Sequence, residues 1–344
     1  MSDGPALAEL TTLRLGGPAD RLVEATTEEE LLAAVRRADE SGTSLLVLGG
    51  GSNVVVADEG FHGDVVHVAT RGIEVEADAC SGATVTVAAG EPWDDVVASA
   101  VERGWCGIEA LSGIPGSTGA TPVQNVGAYG QEVAQTVARV RTWDRRDRAV
   151  RTYSAAECGF GYRTSRFKED PQRHVVLTVT FQLALADLGA PVGYAELARS
   201  LGVETGQRAP LADVRRAVLA LRQGKGMWID PEQPDDHDTW SAGSFFTNPV
   251  VDPALVPQGA PAWPQPDGRV KTSAAWLIEH AGFAKGYALG GVALSGRHTL
   301  ALTNRGSGTT RDLLALATRI RDGVELEHGI RLVNEPVLVG CSLP

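Results

Sequence analysis

A mixed helix-and-sheet chain of two or three domains is predicted by three observations. A strand, a helix and a second strand follow one another before a glycine loop between Arg21 and Asn53. Apolar alternation of the β kind dominates the middle of the chain. The composition then shifts to Gly, Pro and acid between Gly224 and Asp238, where a domain boundary is expected. With 344 residues, 43% apolar and 22% charged, the chain is long enough to bury a sizeable core.

The elements follow in order. Arg21 to Ala25 reads as extended. Thr27 and Glu30 form a capping box ahead of Leu31, Leu32, Val35 and Ala38 at helical spacing, and the helix ends near Gly42. Ser44 to Leu48 is a short apolar strand. Gly49 to Asn53 follows it, but Val54-Val55-Val56 favours strand over the helix that a dinucleotide-binding Rossmann turn requires. The glycines therefore read as a nest of backbone N–H groups between two strands, a plausible diphosphate cradle. Ile73 to Ala77 and Thr84 to Ala88 are β, and Pro92 to Arg103 is a helix with proline in its first turn. Val137 to Trp143 and Val150 to Tyr153 form a hairpin, and His174 to Leu183 is a further strand. Leu211 to Arg222 is a helix with a basic end. Beyond the boundary come a helix around Ser273 to Ala281, strands near Val292 and Leu300, a helix from Thr310 to about Glu325, and a last strand near Val337.

Between Glu109 and Glu132 the chain carries no charge and five glycines, interleaved with Pro115, Pro122, Ser117, Thr118, Thr121 and Asn125. Glycine lets amides approach a ligand and proline freezes the turns between them, so this loop is read as a holder of something. No run of about 18 apolar residues exists, and MSDGPALAEL lacks a signal-peptide pattern, so cytoplasmic residence is expected. The net charge of -12 argues against broad binding to nucleic acid or an anionic membrane. Cys80, Cys106, Cys158 and Cys341 lack zinc or disulfide spacing and read as small buried hydrophobes.

Phe160 to Lys168 sets three cations among aromatics; its plain reading is a surface strand with ion-paired arginines. Ser241 to Pro249 reads as a buried turn, not a nucleophile elbow, because the second glycine of G-x-S-x-G is missing. Asp235 to Asp238 reads as a solvated loop, since four adjacent residues cannot all converge on one metal ion. His280 on a helix and His298 in a strand have no partner at ligand spacing and read as structural.

Taken together, LGGGSN at Leu48 to Asn53, GIPGSTGATPVQNVGAYGQE at Gly113 to Glu132, GYRTSRFK at Gly161 to Lys168, AGSFFTNP at Ala242 to Pro249 and the C-terminal NEPVLVG closely resemble the UDP-N-acetylenolpyruvoylglucosamine reductase (MurB) family of flavoenzymes, from Thr12 to Gly340. The resemblance implies an α+β protein: a vanillyl-alcohol-oxidase/PCMH-type FAD-binding domain of two α/β subdomains, residues 1–70 (joined by a strand at 336–344) and 71–226, plus a C-terminal α+β substrate domain at 227–335. It implies non-covalent FAD, with the diphosphate on Gly49, Gly50, Gly51, Ser52 and Asn53 and along Ser117, Thr118 and Gly119. Gln124, Asn125, Gly127, Tyr162 and Arg222 fall at further cofactor positions.

The implied reaction moves hydride from NADPH to the flavin, and from the flavin to the vinyl carbon of UDP-N-acetylglucosamine enolpyruvate, giving UDP-N-acetylmuramate for peptidoglycan. The enzyme must then stabilise an enolate-like dianion and protonate a carbon. Arg163, at the family's GYR arginine, would hold the charge, Ser244 would donate the proton, and Glu335 would donate a hydrogen bond or join a relay. An ionised Glu335 would oppose Arg163, so a raised pKa is expected. Tyr194 marks the first family subtype, whose tyrosine closes over the sugar nucleotide; Lys225, Asn248 and Lys271 are the other substrate contacts. Thr247 stands where some members have lysine, and the acidic Gly226 to Trp240 segment is long. A monomer acting in cell-wall biogenesis, cell shape and division is implied. The alternatives are another FAD-dependent oxidoreductase of the superfamily, which would carry a His or Cys flavin tether, and a non-catalytic nucleotide-binding protein, which could lose Arg163, Ser244 or Glu335.

Overall fold

The computed structural model describes residues 4–78 and 81–343; Cys80 lies outside them. The chain divides into two compact units. A central unit comprises Asp20–Gly50 and His62–Gly224, and a terminal unit is assembled from the segment up to Ala19, Gly51–Phe61 and everything from Lys225 on.

In the central unit, a three-stranded sheet has the order Ala19–Ala25, Phe61–Val68, Leu45–Leu48, the last two parallel with Leu45 opposite Asp64. The helix Glu28–Ser41 starts where the capping box places it, with Thr27 and Glu30 satisfying each other's backbone amides. It stops at Gly42, whose φ of 66° is the left-handed cap glycine supplies without strain. Leu31, Ala34, Val35 and Ala38 make its buried face. The larger sheet is antiparallel, in the order Ala149–Ser154, Val137–Asp144, His174–Leu185, Gly82–Ala88, Ile73–Asp78, with Trp105–Cys106 also pairing to His174–Leu185. Its inward residues Val85, Val87, Val140, Val179 and Phe181 pack on Trp93, Val97 and Cys158. A smaller core joins the helices Ala195–Leu201 and Leu211–Gly224 through Leu197, Val214 and Val218. Phe160 to Lys168 is no strand. Gly161 and Thr164 close a turn, and Ser165 caps the short helix Arg166–Glu169 through the amides of Phe167 and Lys168. The Ser165 hydroxyl there competes with ladder bonding and wins.

The terminal unit carries a four-stranded antiparallel sheet in the order Ser241–Ser244, Ala301–Asn304, Val292–Leu294, Ala288–Leu289. The helix Thr310–His328 presents the buried stripe Leu313, Leu316, Ala317, Ile320, Val324 at helical spacing. Its first turn is fixed twice: by the Thr309–Asp312 capping box, and by the Asp58 carboxylate, which accepts the Thr310 and Arg311 amides at 2.7 and 2.9 Å. The last strand, Val337–Val339, pairs in parallel with Val54–Val56. Ser241 to Pro249 is therefore a strand and its extension rather than a buried turn, because Ala301–Asn304 supplies the ladder partners. Cys106 and Cys158 are buried and Cys341 half-buried. No described helix is long and apolar enough to cross a membrane.

Asp144, at the end of the central hairpin strand, accepts the Arg146 and Asp147 amides at 3.0 Å each and the Arg173 guanidinium at 2.8 Å. Burial pulls its pKa up, but the Arg173 hydrogen bond, the Asp147 amide and the charges of Arg173 and His174 outweigh it and bring it down to about 2. A depressed folded pKa contributes stability that is present above the ordinary value of 3.8 and lost as pH falls towards 2. Asp144→Asn should therefore melt below the parent at pH 7, with the gap narrowing between about pH 4 and pH 2. Thermal melts across that range check this, and a constant gap would exclude the ionic contribution.

Candidate active site

Within the central unit the two glycine loops meet backbone to backbone. A Cβ on Gly50 would fall 2.7 Å from the Gly116 Cα, and one on Gly49 would fall 2.3 Å from the Ser117 Oγ. Only glycine permits that approach. The Thr118 and Gly119 amides donate to the carbonyls of Glu91 and Ala89 at 2.8 Å. Their part is thus to hold the loop against the sheet, and a Cβ on Gly119 would meet Ala89 at 2.5 Å.

The uncharged loop is built from inside. Glu109, nearly fully buried, accepts the Gly107 amide at 2.6 Å, the Ala190 amide at 2.6 Å and the Gln131 side-chain amide at 2.9 Å, so its charge is spent on holding the loop's base. Asn125 is the knot. Its side chain donates to Glu132 at 2.9 Å and to the Gly161 carbonyl at 3.0 Å, and accepts the Ala134 amide at 3.1 Å. Its φ of 46° is left-handed, a region asparagine tolerates better than most residues. Arg163, with φ 54°, donates to the Gly127 carbonyl at 2.8 Å and reaches the Asn125 carbonyl at 3.5 Å, while its guanidinium lies 5.5 Å from the centre of the Tyr162 ring. Lys168 donates to Gln124 Oε1 at 2.8 Å and to the Arg163 carbonyl at 2.9 Å. The structure thus brings Gln124, Asn125, Gly127, Tyr162 and Arg163 into one cluster.

Arg222 is buried and its Nε donates to the Gly113 carbonyl at 2.9 Å. Burial lowers its pKa to about 10, opposed by the Tyr129 and Asp94 charges, so it remains a cation at neutral pH. Burial pushes the neighbouring Tyr129 up to about 12. Tyr129 meets Tyr194 edge-on, 5.6 Å between ring centres, and Tyr194 keeps nearly half its surface exposed.

In the terminal unit, Ser244 sits just past an irregularity in the ladder, with Ser241 opposite Thr303 and Ser244 opposite Ala301, and Gly243 at φ 73° makes the bend. The chain then runs beside the C-terminal segment. The Glu335 amide donates to the Phe245 carbonyl at 2.8 Å, and the Thr247 amide to Val333 at 3.0 Å. The Val337 amide donates to the Asn53 carbonyl at 3.0 Å, and the Asn53 side chain reaches the Glu335 carbonyl at 3.5 Å. Asn53, Ser244 and Glu335 therefore share one hydrogen-bonded frame. Asn248 lies apart from it in role: its Oδ1 accepts the Ala274 amide at 2.9 Å, at the start of the helix Ala274–His280. Lys271 stands on the strand Val270–Thr272, opposite Val250 and Trp263. Gly51, with φ 60°, packs against the Leu10 carbonyl, and Lys225 opens the unit's long C-terminal part. Arg163 belongs to the central unit, Ser244 and Glu335 to the terminal one.

Two features lie outside the sequence reading. His298 is in a turn, not a strand, and its Nε2 stands 3.4 Å from the Ser244 Oγ. Asp236 and Asp238 are not a solvated loop: Arg297 meets Asp236 at 2.7 Å, Arg305 meets Asp238 at 3.1 Å, and Asp238 accepts the Gly296 amide at 2.9 Å. The only signal in the sequence was the match of acids at 236 and 238 with arginines at 297 and 305, which local patterns do not pair.

Two glycine loops that meet backbone to backbone on the central unit's scaffold are of the kind that serves nucleotide-binding proteins. A family model described as FAD binding domain matches residues 19–153, and one described as UDP-N-acetylenolpyruvoylglucosamine reductase, C-terminal domain, matches residues 233–339. The chain belongs to the UDP-N-acetylenolpyruvoylglucosamine reductase family. The reductase of that name from Cutibacterium acnes is 59% identical over 98% of this chain and 90% of its own, and that from Streptomyces coelicolor is 55% identical over 100% and 91%. Among solved structures, the MurB reductase of Thermus caldophilus superposes with a TM-score of 0.66 at 27% identity, covering 97% of each chain, in agreement with the α+β fold class inferred above.

Asn125→Ala removes three hydrogen bonds from a left-handed residue. We expect a loss of about 2–4 kcal/mol, measured by denaturant unfolding of the purified protein. An unchanged midpoint would show that Asn125 does not knot the loop.

Proposed function

We propose that this chain is an NADPH-dependent, FAD-containing reductase that converts UDP-N-acetylglucosamine enolpyruvate to UDP-N-acetylmuramate. The observation that carries the reading is full-length similarity to reductases of that name, in a chain that keeps Arg163, Ser244 and Glu335. The residues present fit a non-covalent dinucleotide. The Gly49–Gly50 and Gly116–Ser117 backbones approach at distances a Cβ would forbid, and the loop beside them carries no charge to repel a diphosphate. Gly49 to Asn53 would hold the diphosphate, with Ser117 to Gly119 lining it and Gln124, Asn125, Gly127, Tyr162 and Arg222 in further contact.

When bound, FAD would supply the hydride chemistry that links NADPH to the substrate's vinyl carbon. The protein's own groups do the rest. Arg163 holds the charge that develops on the substrate carboxylate, with a planar fork already oriented by the carbonyls of Gly127 and Asn125. Ser244 gives its hydroxyl proton to the adjacent carbon, and Glu335 completes the hydrogen bonding around it. Tyr194 closes over the nucleotide, and Lys225, Asn248 and Lys271 contact substrate. For Asn248 the remaining donor is the side-chain amide nitrogen, since Oδ1 caps a helix. The enzyme works as a monomer in the cytoplasm, in peptidoglycan precursor synthesis and so in cell shape and division. The net charge of -12 supports the absence of a nucleic-acid or membrane partner.

The decisive test is NADPH oxidation that depends on the enolpyruvyl sugar nucleotide; oxidation indifferent to that substrate would indicate an oxidase. Ser244→Ala should slow the substrate-dependent step by about 100-fold or more while NADPH still bleaches the flavin. Gly50→Ala should purify largely colourless, because the added methyl forces the two glycine loops apart. Absorbance at the flavin band measures it, and a full complement of flavin would refute the cradle.

A further inference from the structure

We propose that His298 is the positioning residue that aims the Ser244 hydroxyl, donating a hydrogen bond from Nε2–H to Ser244 Oγ so that the serine proton points at the substrate carbon. The inference rests on the reading of Ser244 as proton donor.

The geometry starts with the turn that carries the imidazole. Ser295 is fully buried, and its Oγ accepts the amides of both Arg297 and His298, at 3.0 and 3.2 Å. The His298 carbonyl accepts the Ala301 amide at 3.0 Å, and the Ala301 carbonyl accepts the Ser295 amide at 2.8 Å. Thr299, also buried, donates to Glu279 at 2.5 Å. Asp238 holds the Gly296 amide from the acidic segment. Four consecutive residues, Gly296 to Thr299, are thus each fixed by a partner on another part of the unit or turn. Facing them, Ser244 lies opposite Ala301 in the ladder, past the bend at Gly243. Both the hydroxyl and the imidazole are carried on backbone that cannot drift far, and their 3.4 Å separation is of the kind that tightens when a site fills.

The direction of the bond follows from the chemistry. A hydroxyl has one proton. If Nε2 were the acceptor, that proton would lie along the Oγ–Nε2 line and be withheld from carbon. With Nε2–H as donor, Oγ accepts from histidine and the O–H is left to face the substrate. In the step, the Oγ–H bond breaks as the carbon–hydrogen bond forms, and the hydrogen bond from Nε2 stabilises the oxygen as it gains negative charge. Histidine need not change its charge.

The test uses the purified holoenzyme. In His298→Phe, flavin reduction by NADPH should stay within about twofold of the parent, while reoxidation by the enolpyruvyl sugar nucleotide should fall on the order of 50-fold, the range of a single proton-transfer aid. His298→Gln, which places an amide donor near the position of Nε2, should recover most of that loss. In a Ser244→Ala background, adding His298→Phe should cost nothing more, because no hydroxyl remains to aim. Independently of turnover, the 15N resonance of His298 Nε2 should be that of a protonated nitrogen and should move in Ser244→Ala. Equal slowing of both half-reactions, no recovery in His298→Gln, additive losses in the double variant, or an unprotonated Nε2 would each overturn the proposal. A parent enzyme whose reduced flavin ignores the enolpyruvyl substrate would instead overturn the functional reading, and the resonance measurement would still report on the pair.

Discussion

The terminal unit depends on two backbone hydrogen bonds near its last strand: Val337 to the Asn53 carbonyl and Glu335 to the Phe245 carbonyl. They make three segments far apart in sequence into one frame. The first aligns Val337–Val339 with Val54–Val56, so the glycine loop's exit strand is held by the chain's end. The second sets Glu335 beside the strand of Ser244. Individually such bonds contribute about 1 kcal/mol. Asn53, Glu335 and the strand that carries Ser244 are thereby tied to one another through backbone hydrogen bonds.

The central unit meets the same need with different means. Its loop gains order from buried side chains rather than from ladder pairing: Glu109 at the base, Asn125 in the middle, Arg222 against Gly113. Asn125, Tyr129 and Arg163 are all left-handed non-glycine residues. Such backbone costs of order 1 kcal/mol or more each and persists where surroundings over-determine it. For Asn125 and Arg163 the surroundings are the residues' own hydrogen bonds, which turn an expensive conformation into a fixed one.

What was legible in the sequence was local. The Thr27–Glu30 box, the Gly42 stop and the hairpin at 137–153 each depend on neighbours within a few residues, where propensity and capping act directly. The family motifs located Arg163, Ser244 and Glu335, but not what surrounds them. Ser244 and His298 are 54 residues apart, and they meet because Ser241–Ser244 pairs with Ala301–Asn304 in a register no local pattern encodes. The same holds for Asp238, whose charge looked solvated until the turn at Gly296 and Arg305 supplied its partners. Phe160 to Lys168 failed as a strand for a related reason: the Ser165 side chain offered its backbone a better local partner than any ladder did.

The partition of the chain bears on the order in which it can fold during synthesis. Every residue of the central unit lies between 20 and 224, so all of its contacts are available before the ribosome has finished. The terminal unit must wait. Its segments up to Ala19 and from Gly51 to Phe61 emerge early, yet the strand that pairs with Val54–Val56 follows only after the whole central unit. Until then Val54, Val55 and Val56 present an apolar, unpaired edge, the kind of surface that recruits chaperones or a neighbouring chain. The valine strand thus lacks its ladder partner until the segment at 337–339 has been made.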